Sequence, residues 1–199
     1  MLYLIGGAPR CGKTILTEKI AKQKNIPYLS VDAFRAGLIP YFSQDEITKK
    51  LPDQYLRLET NTAEELLASE IIESKTLWLG IRGIIEYLIL CKQEYIIEGV
   101  ALMPEHIHEL LKTHDASHIR IIYLVKTDKE KIKDGLINNT SKHDWLKDLL
   151  QHEEFIEKAV NMIHMKSTYI QEQAKRFDFT VIDTSEHFTE KIQELSQGF

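Results

Sequence analysis

The stretch Gly7, Ala8, Pro9, Arg10, Cys11, Gly12, Lys13, Thr14 constrains this chain more than any other. It matches G-x-x-x-x-G-K-[ST], a pattern whose backbone N–H groups cradle phosphate oxygens. Its context suits the mechanism. The apolar run Leu2-Tyr3-Leu4-Ile5 predicts a buried strand. Ile15 to Lys24 predicts a helix, with Ile15, Leu16 and Ile20 apolar between Glu18, Lys19 and Lys22. Glycines let the loop wrap closely, and the helix start adds unpaired N–H donors and partial positive charge. In this pattern Lys13 reaches the β/γ-phosphates and the Thr14 hydroxyl ligates Mg²⁺. Cys11 is read as small filler, although a helix N-terminus can lower a thiol pKa.

The rest of the chain alternates strand and helix signals. Strands are expected at Tyr28–Val31, ending at Asp32; at Tyr95–Ile97, ending at Glu98-Gly99; at Ile119–Val125; and at Phe179–Ile182. Residues 33–58 carry Gly37, Pro40 and Pro52 and predict short helices and loops outside the core. Thr62-Ala63-Glu64-Glu65 has the capping-box spacing, which starts a helix to about Ser74, with a second over about Leu77–Leu90. Further helices are expected at Pro104–Lys112, Asp128–Leu136 and Glu186–Leu195. Asn138–Ser141 reads as a break, and Asp144–Lys175 as one long helix or two end to end. Five alternations predict an α/β fold: a five-stranded parallel sheet, helices on both faces, right-handed crossovers. Ligands bind at the carboxyl ends of such strands, so Asp32, Glu98 and the loop should share one crevice.

The length of 199 residues suggests a single domain over 1–199. A net charge of −5 argues against a broad nucleic-acid surface. Two cysteines make no disulfide framework, which fits a cytoplasmic setting. Neither a signal peptide nor a membrane span is expected. His106, His108, His143, His152 and His164 lack metal-ligand spacing. Lys126-Thr127-Asp128 follows the fourth strand with Val125 before it, where guanine binding needs Asn, so guanine specificity is not expected.

The phosphate loop, and more weakly Ile96-Ile97-Glu98-Gly99-Val100-Ala101-Leu102-Met103-Pro104, resemble the small-molecule and nucleoside-monophosphate kinase branch of the P-loop proteins. That branch includes adenylate kinase-like enzymes, and the second segment is most similar to 2-phosphoglycerate kinase-like proteins. The resemblance implies a three-layer P-loop NTPase fold using ATP and Mg²⁺. It implies an acceptor-binding insertion at about 33–75 and a lid-like region at about 126–145. Lys13 and Asp32 would then be catalytic, Asp32 as proton acceptor or water-mediated metal support. Thr14 and Glu98 would serve the metal. Arg35, Trp78 and Arg82 would face the acceptor, as anion clamps and an apolar wall.

Each of these residues has a plainer reading. Asp32 can cap a helix, Glu98 can pair with a lysine, Arg35 and Arg82 can be solvated, and Trp78 can be core. One departure from the family stands out: Lys126 to Lys175 contains no arginine, where lid arginines are expected. Arg10, Arg120 and Arg176 remain, and lysines at 126, 129, 131, 133 and 142 are alternative point charges. The leading expectation is ATP-dependent phosphotransfer to a hydroxyl or phosphate of a small molecule. A nucleotide-binding switch without efficient transfer is the alternative. A nucleoside-monophosphate kinase ranks lower, because the chain has six arginines in all.

Overall fold

The computed structural model describes residues 1–52, 60–138 and 153–198. Five parallel strands, β1 (Leu2–Gly7), β2 (Tyr28–Ser30), β3 (Tyr95–Gly99), β4 (Ile119–Val125) and β5 (Thr180–Asp183), form one sheet in the order β2-β3-β1-β4-β5. The central strand β1 is buried throughout. That burial explains its unbroken apolar run, since both faces of a parallel sheet are covered. Its alternate residues feed two cores. Leu2 and Leu4 pack with Leu77, Ile81 and Ile85 of α4 (Ala63–Leu90) and Ile107 of α5 (Pro104–Leu111). Tyr3 and Ile5 pack with Leu16 and Ile20 of α1 (Lys13–Lys24) and Ile192 of α8 (Phe188–Gly198). The chain thus forms the α/β, three-layer arrangement that alternation predicts, with α7 (Glu153–Arg176) packed on α4 and α5.

The second strand is shorter than expected. It stops at Ser30, and Val31 already belongs to α2 (Val31–Leu38). Asp32 therefore neither ends a strand nor caps a helix: Ser30 is the cap residue, and Asp32 lies in the first turn. A carboxylate is favourable there against the helix dipole. Residues 33–52 are short pieces, including α3 (Gln44–Lys50), but they are not outside the core. Ile47 and Leu51 are buried in the same cluster as Leu77 and Trp78.

The capping box at Thr62 and Glu65 is formed, with both reciprocal bonds. The helix it opens is one, not two, running 28 residues to Leu90. No Gly or Pro interrupts Ser74-Lys75-Thr76. Ser74 Oγ donates to the Ile71 carbonyl at 2.8 Å and Thr76 Oγ1 to that of Ile72 at 3.4 Å, so both hydroxyls are satisfied inside the helix. The helix α6 (Lys129–Ile137) is capped by Asp128, whose carboxylate accepts from Lys131 N at 3.0 Å. The expected break at 139–141 and the start of the expected long helix, 144–152, lie outside the described residues. Among the described residues, no helix is long and apolar enough to cross a membrane.

Gly7 joins the sheet to the loop at φ 143°, and a Cβ there would stand 2.1 Å from the Leu124 carbonyl oxygen. Gly7→Ala should therefore combine a disfavoured backbone with a backbone overlap. The two together cost about 3 kcal/mol or more. A drop in thermal midpoint of roughly 6–12 °C follows for a chain of this size. Calorimetric melting of the variant measures it, and an unchanged midpoint would mean the loop can rise off β4.

Candidate active site

The loop is held from three strands. It continues β1, Ala8 N–H donates to the Leu124 carbonyl of β4 at 3.2 Å, and Thr184 Oγ1 donates to the Cys11 carbonyl at 3.2 Å just past β5. Ala8 and Cys11 are fully buried beneath it. Burial pushes the Cys11 thiol up to about 11, against the opposing charge of Lys13. The helix start does not activate it, and Cys11 is packing. Gly12 caps α1 at φ 94° with no side-chain cap bond, leaving the first N–H groups of the helix directed at the cradle. Lys13 is 7% exposed and donates to the Ala8 carbonyl at 2.8 Å, folded against its own loop.

A cavity of about 870 Å³ opens over this loop. Arg10, Lys13, Thr14, Asp32, Arg35 and Glu98 all line it. Residues far apart in sequence thus meet at the carboxyl edge of the sheet, because β1 and β2 flank β3 with Ile5 and Ser30 both in register with Glu98. Glu98 is 3% exposed. Burial raises its pKa above the ordinary carboxylate range, Lys13 and Ser30 pull it back, and the charge of Asp32 adds to the rise. Asp32 itself is exposed to the cavity.

Trp78 and Arg82, expected to face the acceptor, do not line this cavity. Trp78 is 9% exposed, sits in the core and stacks on His106 with centroids 5.2 Å apart. Arg82 pairs with Glu86, one turn on, at 2.7 Å. The face of α4 that meets the cavity lies one to two turns earlier, at Glu70, Glu73 and Ser74. Arg35 is there but engaged. Its Nε donates to Glu73 Oε1, and Nη2 to Oε2 at 3.1 Å. Burial raises the Glu73 pKa in spite of Arg35, with Glu70 and Asp32 adding to the rise.

Two buried lysines also line the cavity. Lys126 follows β4, is 8% exposed, and holds Nζ 5.4 Å from the centre of the Phe188 ring. No carboxylate among the described residues forms an ion pair with it. Lys166 of α7 is 0% exposed and lies 2.8 Å from Glu70 Oε2. The contact is an ion pair outside hydrogen-bonding angles, so neither atom has a hydrogen-bond partner. Sequence reasoning missed Glu70, Glu73 and Lys166. Among the described residues, no group of three or more His, Cys, Asp or Glu side chains forms a metal cage. Thr14 and Glu98 remain two oxygen donors beside the cradle. Mg²⁺ in phosphate sites typically takes one or two protein ligands and completes its shell with phosphate and water, so the residues present fit that ion.

No family model matches the sequence, and no curated protein does. Solved structures do match. A provisionally assigned kinase from Chloroflexus aurantiacus aligns at TM-score 0.54 and 13% identity, over 99% of this chain and 94% of its own. Shikimate kinase from Bacteroides thetaiotaomicron aligns at 0.52 and 12%, over 100% and 95%. A sugar kinase from Janibacter sp. HTCC2649 aligns at 0.52 and 15%, over 97% and 90%. At these identities the likeness is one of fold: this chain has the five-stranded parallel α/β architecture of those proteins.

Proposed function

We propose that this chain is an ATP- and Mg²⁺-dependent phosphotransferase whose acceptor is a hydroxyl or phosphate of a small molecule. One observation carries the reading: Asp32 and the phosphate loop line the same cavity. Its volume of about 870 Å³ falls within the roughly 300–1,000 Å³ usual for small-molecule sites. The names of the fold neighbours, kinases of shikimate and of sugars, agree with it. Residues 1–199 act as one domain, with 33–75 serving the acceptor and 126–145 the lid, of which 139–145 lie outside the described residues. Two free cysteines, one buried and one exposed, suit a cytoplasmic protein.

In this reading the loop N–H groups and Lys13 hold the β- and γ-phosphates. Thr14 and Glu98 would hold Mg²⁺, which when bound would neutralise phosphate charge. Asp32 accepts the proton of the acceptor hydroxyl as its oxygen bonds to the γ-phosphorus. The bond from that phosphorus to the β,γ-bridging oxygen breaks, and ADP leaves. Lys126 supplies the cation that lid arginines would otherwise bring. It is buried, lacks an acidic partner among the described residues, and lines the cavity directly after β4.

ADP release on a panel of hydroxylated and phosphorylated small molecules tests the activity, with Lys13→Ala as blank. Turnover above background with none of them, at measurable ATP affinity, would favour a nucleotide-binding module, the reading that the arginine-free segment 127–175 supports. Lys126→Met should lower acceptor-dependent turnover at least tenfold, about 1.4 kcal/mol, and Lys126→Arg should restore part of it. Equal turnover in Lys126→Met would remove this lysine from the mechanism.

A further inference from the structure

Two carboxylates of α4, Glu70 and Glu73, stand one turn apart on the wall facing the phosphate loop. Each is neutralised from a different helix. Glu73 takes the guanidinium of Arg35 from α2, with side chains 10% and 20% exposed. Glu70, 13% exposed, takes the buried ammonium of Lys166 from α7. The cations on this wall are therefore committed. Asp32, also lining the cavity, is negative and its charge acts on Glu73. Glu70 Oε2 and Lys166 Nζ face each other as a buried ion pair and have no hydrogen-bond partner among the described residues.

A phosphate or carboxylate placed here would meet three carboxylates whose two cations are already balanced. Leaving a charge unpaired in a desolvated site is strongly unfavourable. A hydroxyl both donates and accepts, and can satisfy an acid–base pair without disturbing it. We infer that the acceptor is an uncharged, polyhydroxylated molecule, and that the Arg35–Glu73 and Lys166–Glu70 pairs reject anionic ones. This rests on the phosphotransferase reading and narrows its acceptor class.

The test compares matched ligands on the full chain, saturated with a non-hydrolysable ATP analogue and Mg²⁺. Hexoses are set against the corresponding hexose 6-phosphates and hexuronic acids. Saturation-transfer NMR and calorimetry measure binding, and ADP release with ATP measures transfer. The neutral member of each set should bind at least tenfold more tightly than its charged partners. Glu73→Gln keeps the shape and removes the carboxylate charge opposite Arg35, so it should narrow or reverse that preference. Glu70→Gln should do the same through Lys166. Melting of both variants confirms that they fold, and Glu73→Gln, in the more open pair, serves if Glu70→Gln does not. Charged members binding as well as neutral ones in the parent protein, or no sugar binding at all, overturns the inference. So does an unchanged preference in a folded Glu73→Gln. Neutral sugars that bind without ADP release would sink the transfer reading while the assignment of the wall stands. Transfer to the charged members alone would do the opposite.

Discussion

Lys13→Ala is expected to lower ATP affinity at least tenfold, about 1.4 kcal/mol, with the fold intact. The side chain is 7% exposed and reaches over its own loop to the Ala8 carbonyl. A phosphate oxygen offered at the cradle competes with that carbonyl for the same ammonium, and a charge-assisted bond to an anion is the stronger. Removal acts twice. It takes a cation from the phosphates, and it removes the charge that holds the buried Glu98 carboxyl down against burial. In the proposed mechanism Glu98 supports Mg²⁺ with Lys13 beside it, so ATP binding should also lose part of its dependence on Mg²⁺. Lys13→Arg should not rescue, because a planar guanidinium does not replace a compact ammonium in so closed a position. Titration calorimetry with and without Mg²⁺ reads both effects. Unchanged affinity, with equal turnover, would end the assignment of this loop to phosphate.

Much of this arrangement is written locally in the chain. The loop pattern lies between a strand and a helix, and β4 is β-branched through most of its length, so neither depends on distant contacts to be read. Glu98 follows from the same logic, as the acidic residue where an apolar strand runs out. Asp32 was read into the right crevice on the wrong backbone. A strand of three residues is too short for its end to be fixed by alternation, and Ser30 begins the helix two residues before the carboxylate.

The α4 wall of the cavity was less legible. The helix before the third strand does face the cavity, yet Trp78 and Arg82 sit too far along it. Reading two helices hid the register, because one continuous helix of 28 residues extends well past the site. The signal that would have found Glu73 and Lys166 was present. Each is a charged residue on an apolar stripe: Glu73 between the buried Leu66 and Leu77, Lys166 between Ile163 and Ile170. A charge on such a stripe needs a buried partner. The identity of that partner comes from another element, Arg35 on α2 and Glu70 across on α4, and no local pattern names it.

The largest effect on chemistry should come from Asp32. Asp32→Asn keeps the shape and one hydrogen-bonding oxygen but removes the base. The carboxylate is exposed to the cavity in the first turn of α2, where the helix dipole favours its charge. Its charge acts on both Glu98, beside the loop, and Glu73, on the α4 wall of the cavity. In the phosphotransferase reading proposed above, that is the place of a group between the phosphates and the acceptor. Loss of a general base costs about 10²–10⁴-fold in rate. Nucleotide affinity should change little, since the loop and Lys13 are untouched, and slight strengthening is expected as one negative charge leaves the cavity. A helix-stabilising role would behave differently: Asn is tolerated in a first turn, so turnover would stay near the parent value while melting shifted slightly. The measurement is acceptor-dependent ADP release and ATP affinity in parent and variant, with melting of each. Turnover within twofold of the parent would reduce Asp32 to a helix-start residue. A loss of 10² or more at unchanged ATP affinity would fix it as the group that takes the acceptor proton.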